Sequence, residues 1–124
     1  MASPISREAA EAFAAAWLAA WNPHDLDAIL AHYAEDVVFV TPMAVKLLGD
    51  PSGTVRGRGA LRDYFAKGLA AYPDLHFESP QVLLGVNTLT ICYVSVNRLP
   101  AAEVFELNER ALVTRAWAHY GVAD

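Results

Sequence analysis

Of the four carboxylates that fall among strand-like residues of this chain, only Glu103 shares a face with a run of large apolar side chains. In Glu103-Val104-Phe105-Glu106-Leu107-Asn108 the side chains alternate, so Glu103, Phe105 and Leu107 point one way and Glu106 and Asn108 the other. A carboxylate on the apolar side of a sheet is costly to keep charged, so it is paired, neutralised or kept for chemistry. Two readings stand side by side. Glu103 is a carboxyl satisfied by Arg115 or a tyrosine, or it is a desolvated acid with a raised pKa, fit to serve as general acid, general base or hydrogen-bond donor.

Other polar groups gather around that pattern. Thr41 lies on the face of Val37 and Phe39 and can give or take one hydrogen bond; a satisfied strand threonine is the plainer reading. Trp17 is either core or an indole N–H donor to a ligand oxygen. Tyr33, Tyr64, Tyr72, Tyr93 and Tyr120 are candidates to tune a pocket: Tyr33 and Tyr64 fall on inward helix faces, and Tyr120 shares the face of Ala116 and Ala118. Those alanines leave floor space opposite large aromatics, which suits a flat apolar ligand better than a solid core.

The remaining chemistry-bearing residues point elsewhere. His24 reads as a helix-start residue, and His32 lies on the polar side of a helix. His76 faces away from Leu75 and Phe77, and His119 sits with Arg115 and Trp117 on an outer sheet face. No histidine pair has metal-ligand spacing, so neither a metal nor any other cofactor is expected. There is no Gly-x-Ser-x-Gly elbow, and Gly57-Arg58-Gly59 lacks the lysine of a phosphate loop and reads as a turn. Cys92, alone in the chain, excludes an internal disulfide and reads as a buried inert thiol.

The elements that must position these groups follow from periodicity. Ser3 with Pro4, or Ser6 with Glu8, can start a first helix. Phe13, Trp17 and Trp21 stripe it, and Asn22-Pro23 ends it. Leu26, Ile29, Leu30 and Tyr33 mark a short second helix. A valine-rich strand runs from Asp36 to Thr41 and Pro42 closes it. The flanks of the Gly49–Gly53 turn, within Met43 to Gly57, read as a small hairpin. A third helix runs from about Gly59 to Ala71, with Leu61, Tyr64, Phe65, Leu69 and Tyr72 on its apolar side. Four strands follow, about Leu75–Leu84, Thr88–Asn97, Ala101–Asn108 and Leu112–Tyr120. Consecutive strands on short turns make an antiparallel meander. Helices grouped at one end make the class α+β: a conical fold, three N-terminal helices on a curved, mostly antiparallel sheet around a pocket.

Composition bounds the rest. The 124 residues, 55% apolar and 19% charged, are read as one domain spanning residues 1–124 with a real core. So much apolar area implies a deep cavity, a subunit interface, or both. A net charge of −5 and nine scattered basic residues argue against nucleic acid as a partner. The apolar stretch from Ala12 to Trp21 is too short for a membrane span and has no basic leader, so no membrane partner is expected and the cytoplasm is the default location.

The collinear runs Trp17–Asn22, Asp25–Leu30, Tyr33–Pro42, Gly59–Phe65, Glu103–Asn108 and Val113–Ala116 resemble the ketosteroid isomerase branch of the nuclear-transport-factor-2-like (SnoaL-like) superfamily. The resemblance implies a cystatin-like cone, usually a homodimer through the outer sheet face, and acid/base chemistry on an apolar carbonyl compound, steroid-like or polyketide-like. Its enzymes use an aspartate base with an oxyanion site of a tyrosine and a protonated aspartate. The tyrosine falls on Trp17, the base on Thr41 before Pro42, the protonated acid on Glu103, and a supporting tyrosine on Phe65. A threonine hydroxyl has no useful basicity at neutral pH, which leaves Glu103 as the acid/base group, with Trp17 and Thr41 positioning the substrate oxygen. Phe39, Tyr33, Tyr64, Phe65, Phe105, Ala116, Ala118 and Tyr120 are the expected pocket. The alternative is a non-catalytic hydrophobic-ligand-binding or dimeric assembly domain.

Overall fold

The computed structural model describes residues 4–121. Ser6 caps helix α1 (Arg7–Trp21), its side chain accepting from the Ala9 N–H at 3.0 Å. Phe13, Trp17 and Trp21 are buried as their spacing requires. The helix end is pinned rather than frayed. Asn22 donates through Nδ2 to the Phe77 carbonyl at 3.2 Å and accepts from the Phe77 N–H at 2.8 Å. That pair ties α1 to the chain that enters the meander.

Helix α2 (Leu26–Leu30) is capped by Asp25 and is shorter than its periodicity suggests. Tyr33 does not extend it but opens strand β1 (Tyr33–Val40). The residue fits the helical stripe and the strand alternation equally well, and pairing with the last strand decides between them.

The segment after β1 is where the expectation fails most. Instead of a hairpin it forms helix α3 (Pro42–Leu48), then strand β2 (Thr54–Arg56), which pairs antiparallel with β1. Thr41 is the N-cap of α3, Pro42 takes the first turn where its missing N–H costs nothing, and Gly49 closes the helix in the left-handed region at φ 70°. These are helix start and stop signals, and the Gly49–Gly53 turn masks them. The cone therefore carries four helices, the fourth being α4 (Arg58–Ala71).

Strand β3 (Glu78–Leu84) begins three residues later than Leu75, and β4 (Thr88–Val94) ends before Asn97, in a short 3₁₀ turn over Val96–Arg98. Strands β5 (Pro100–Leu107) and β6 (Val113–Tyr120) complete one curved six-stranded sheet in the order β2-β1-β6-β5-β4-β3. Only the β1–β6 pairing is parallel. Helix α1 packs on β3 and α4 on β1, which closes the inner face.

Register fixes the rows of that face. Ile91, Glu103 and Ala118 lie side by side across β4, β5 and β6; Tyr93, Ala101 and Tyr120 form the neighbouring row. Glu103 and Phe105 are buried and Glu106 is not, as the alternation requires. Cys92 is a correction: it is half-buried, because its strand turns Leu89, Ile91 and Tyr93 inward and leaves Cys92 opposite Ala102 on the outer face. No helix among the described residues is long and apolar enough to cross a membrane.

Candidate functional site

Strand β5 carries Glu103 into the wall of a cavity of about 60 Å³, between the inner sheet face and helices α1, α3 and α4. That is several times the roughly 10–15 Å³ that admits one water. It suits a compact group of a few heavy atoms. Trp17, Trp21, Phe39, Tyr64, Phe77 and Tyr93 are among the aromatics around it, and Met43 and Leu47, one turn apart on α3, cover another side.

Glu103 is 4% exposed. Its Oε1 accepts from the Tyr93 hydroxyl at 3.1 Å, the pairing that register prepares, since Tyr93 lies one row along on the adjacent strand. Arg115 is not the partner: it faces outward opposite Glu106 and is exposed. Among the described residues, no lysine, arginine or histidine lines the cavity. A charged Glu103 would thus be compensated only by one neutral phenol. Burial pushes its carboxyl from the ordinary 4.5 up to about 8, against the opposing pull of the Tyr93 hydrogen bond. At pH 7 about nine-tenths of it then holds its proton.

The phenols respond in kind. Tyr93, Tyr33, Tyr64 and Tyr120 are all raised, each first by burial, and the charge of Glu103 adds to the shift in every case. They stay neutral hydrogen-bonding groups across the working range of pH.

Of the residues read from sequence, the structure places Glu103, Trp17, Phe39, Tyr64, Phe65 and Tyr120 around the cavity. Thr41 is buried at the end of β1, its Oγ1 accepting from the Met43 N–H at 3.3 Å, and it does not line the cavity itself. The Trp17 indole N–H donates to the Tyr33 hydroxyl at 3.3 Å, so its hydrogen bond stays within the protein. Tyr33 lies behind that contact. Phe105 is packed edge-on between Phe13 and Trp17, and Ala116 and Ala118 form sheet floor; none of these four lines the open space.

Sequence reasoning missed Trp21, Phe77, Ser95 and the two α3 residues, whereas Tyr72 and Tyr93, both read as pocket tyrosines, do line the cavity. Tyr93 was legible because Leu89, Ile91 and Tyr93 alternate with polar or smaller neighbours, but its pairing with Glu103 was not. Met43 and Leu47 were hidden with their helix. Trp21 adds an oddity: its buried indole N–H makes no hydrogen bond among the described residues.

The histidines stay outside. His24 sits in the turn before α2 at φ 62°, its Nε2 2.7 Å from the Leu75 carbonyl. His32 lies beyond the end of α2 with its ring edge-on to Phe13, and burial lowers its pKa. His76 and His119 are exposed.

A conical α+β fold with an acid group in an aromatic pocket defines a class of small-molecule-binding proteins rather than one reaction. The SnoaL-like domain profile matches residues 14–124, and the chain belongs to that family. A SnoaL-like protein of unknown function from Burkholderia thailandensis E264 is 41% identical, with a TM-score of 0.91 over 96% of this chain and 100% of that one. The epoxide hydrolase/cyclase-like enzyme SalBIII, of pyran ring formation in the polyether salinomycin, shares the fold at 18% identity, TM-score 0.74 and 94% of each chain. So does a hypothetical protein with a ketosteroid isomerase-like fold from Catenulispora acidiphila DSM 44928 in complex with trimethylamine, at 19% identity, TM-score 0.70 and 88% of this chain against 85% of that one. No curated protein matches the chain.

Proposed function

We propose that this protein is a small-molecule enzyme in which Glu103 is the acid/base group and a compact, mostly apolar carbonyl compound is the substrate. One observation carries the reading: the carboxyl of Glu103 is buried in the cavity wall with a neutral phenol, Tyr93, as its hydrogen-bond partner and no cation beside it. A purely structural carboxyl is ordinarily paired with a cation. A proton held to about pH 8 makes Glu103 a donor to a carbonyl oxygen at neutral pH, and the same group is a competent base once ionised.

The supporting roles are indirect. Thr41 caps helix α3, which brings Met43 and Leu47 to the cavity, and Trp17 fixes Tyr33. A cavity of about 60 Å³ supports a compact substrate over a fused-ring steroid. The domain works as a homodimer through the outer sheet face, where Arg115, Trp117 and His119 form a strip with an aromatic centre.

The test is hydrogen–deuterium exchange at the carbon next to the carbonyl, followed by NMR across a panel of small ketones in deuterated water. Wild-type protein accelerates the exchange and Glu103→Gln does not. A folded Glu103→Gln variant that exchanges as fast as wild type removes Glu103 from the chemistry.

A second reading, a binding module without turnover, is favoured by the threonine that stands where the family's base would be. The trimethylamine complex of the Catenulispora protein brings small amines into the range of ligands for such a module.

A further inference from the structure

Nine of the sixteen residues around the cavity are Trp, Tyr or Phe, and its one carboxyl is Glu103. Aromatic faces present negative potential and attract organic cations that have been stripped of water. A buried carboxylate with no positive neighbour lacks the one thing that would stabilise its charge. The two deficits are complementary. A ligand that carries a single diffuse positive charge supplies the missing counter-ion and satisfies the aromatic wall at once.

We infer that the cavity takes a small alkylammonium group in exchange for the proton of Glu103. The exchange balances: neutral Glu103 carboxyl plus ammonium cation gives carboxylate–ammonium pair plus one proton released to solvent. The inference rests on the same premise as the proposed function, that Glu103 is the working group of the cavity, and it specifies the charge of the ligand. The space is right for a compact ammonium head.

The titratable groups that face Glu103 are Tyr93 from β4, Tyr120 from β6, Tyr33 from β1 and Tyr64 from α4, all displaced above their ordinary range; Tyr72, at the end of α4, also lines the cavity, and α1 presents Trp17. The four displaced phenols do not change charge between pH 6 and 9, so the proton linkage expected in that window is that of Glu103.

The sign separates this inference from binding of a neutral carbonyl. A cation requires ionised Glu103, so its affinity climbs about tenfold per pH unit up to roughly pH 8 and then levels off. A carbonyl oxygen requires the protonated form, so its affinity is flat up to that pH and falls above it.

Isothermal titration of wild-type protein with tetramethylammonium chloride, in buffers of different ionisation heat, reads both affinity and proton release; tert-butanol is the uncharged control. Affinity that rises with pH, one proton released per ligand near pH 7, and a pH-independent response to tert-butanol up to pH 8 are expected. Glu103→Gln, checked for native thermal unfolding, should abolish the proton release. Tetramethylammonium affinity that is undetectable, independent of pH, or falling as pH rises overturns the inference. Cation exchange intact with no carbonyl exchange activity would sink the enzyme reading alone. The reverse pattern, with that activity dependent on Glu103, would sink this one alone.

Discussion

The hydroxyl of Tyr93 stands 3.1 Å from Oε1 of Glu103, and the two side chains come from adjacent rows of neighbouring strands. This contact sets the pKa of the acid from one side, while burial sets it from the other. Tyr93→Phe removes the restraining hydrogen bond without opening much volume. Glu103 should then titrate above its wild-type value of about 8, read from the carbon-13 shift of its carboxyl; an unchanged midpoint would show that the contact does not restrain the acid.

Burial of Glu103 also leaves a mark on stability. Its folded-state pKa is raised from 4.5 to about 8. The unfolded chain therefore loses that proton first, and the folded state loses stability as pH climbs between the two values, by an amount on the order of a few kcal/mol. Chemical denaturation of wild-type protein should show this decline from pH 4.5 to 8. In Glu103→Gln the decline should shrink, leaving the variant relatively more stable at pH 9 than at pH 5. Parallel curves for the two proteins would mean that Glu103 ionises as easily folded as unfolded.

Trp17 and Trp21 differ by one hydrogen bond. The Trp17 N–H donates to buried Tyr33, while that of Trp21 has no partner. Both rings are buried, so truncation to Phe removes similar volume from each. Trp17→Phe should cost more than Trp21→Phe by roughly 0.5–1.5 kcal/mol, the net worth of a hydrogen bond, measured by urea unfolding. Equal losses would mean that the Trp17–Tyr33 contact contributes nothing net.

The inner face of the meander was legible in sequence because alternation in a strand is strict: Glu103, Phe105 and Leu107 had only one face to share. The stripe Phe13, Trp17, Trp21 was legible for the same reason at helical spacing. What alternation cannot supply is register. Nothing local says that Tyr93 lies beside Ala101, or that Arg115 meets Glu106 instead of Glu103. Tyr33 fitted two periods at once. Residues 42–56 hid their helix because a seven-residue helix carries too few turns to show a stripe, while the Gly, Asp and Pro residues after it dominate the local signal.

Gly53 shows how that hidden segment is held. It sits at φ +62°, its carbonyl accepts from the Thr41 N–H at 2.9 Å, and a Cβ there would lie 2.7 Å from the Thr41 carbonyl oxygen. Gly53→Ala has both the wrong backbone conformation and no room. It should lower the stability by at least about 1 kcal/mol and disturb Met43 through Thr41, visible in the methyl resonance of Met43. A variant of wild-type stability would mean that the turn relaxes freely and does not hold Thr41.

The outer face offers the last test. Trp117 is half-buried opposite Val104, with exposed Arg115 and His119 two residues to either side on the same face of β6. A large aromatic at the centre of a polar-rimmed sheet face is the composition of an interface core. A glutamate at its centre would place two like charges against each other across a two-fold contact and leave both desolvated. Sedimentation equilibrium should therefore find wild-type protein as a dimer and Trp117→Glu as a monomer with unchanged secondary structure. A dimer that survives the substitution would move the contact to another surface, and a monomeric wild type would leave the strip without a partner of its own kind.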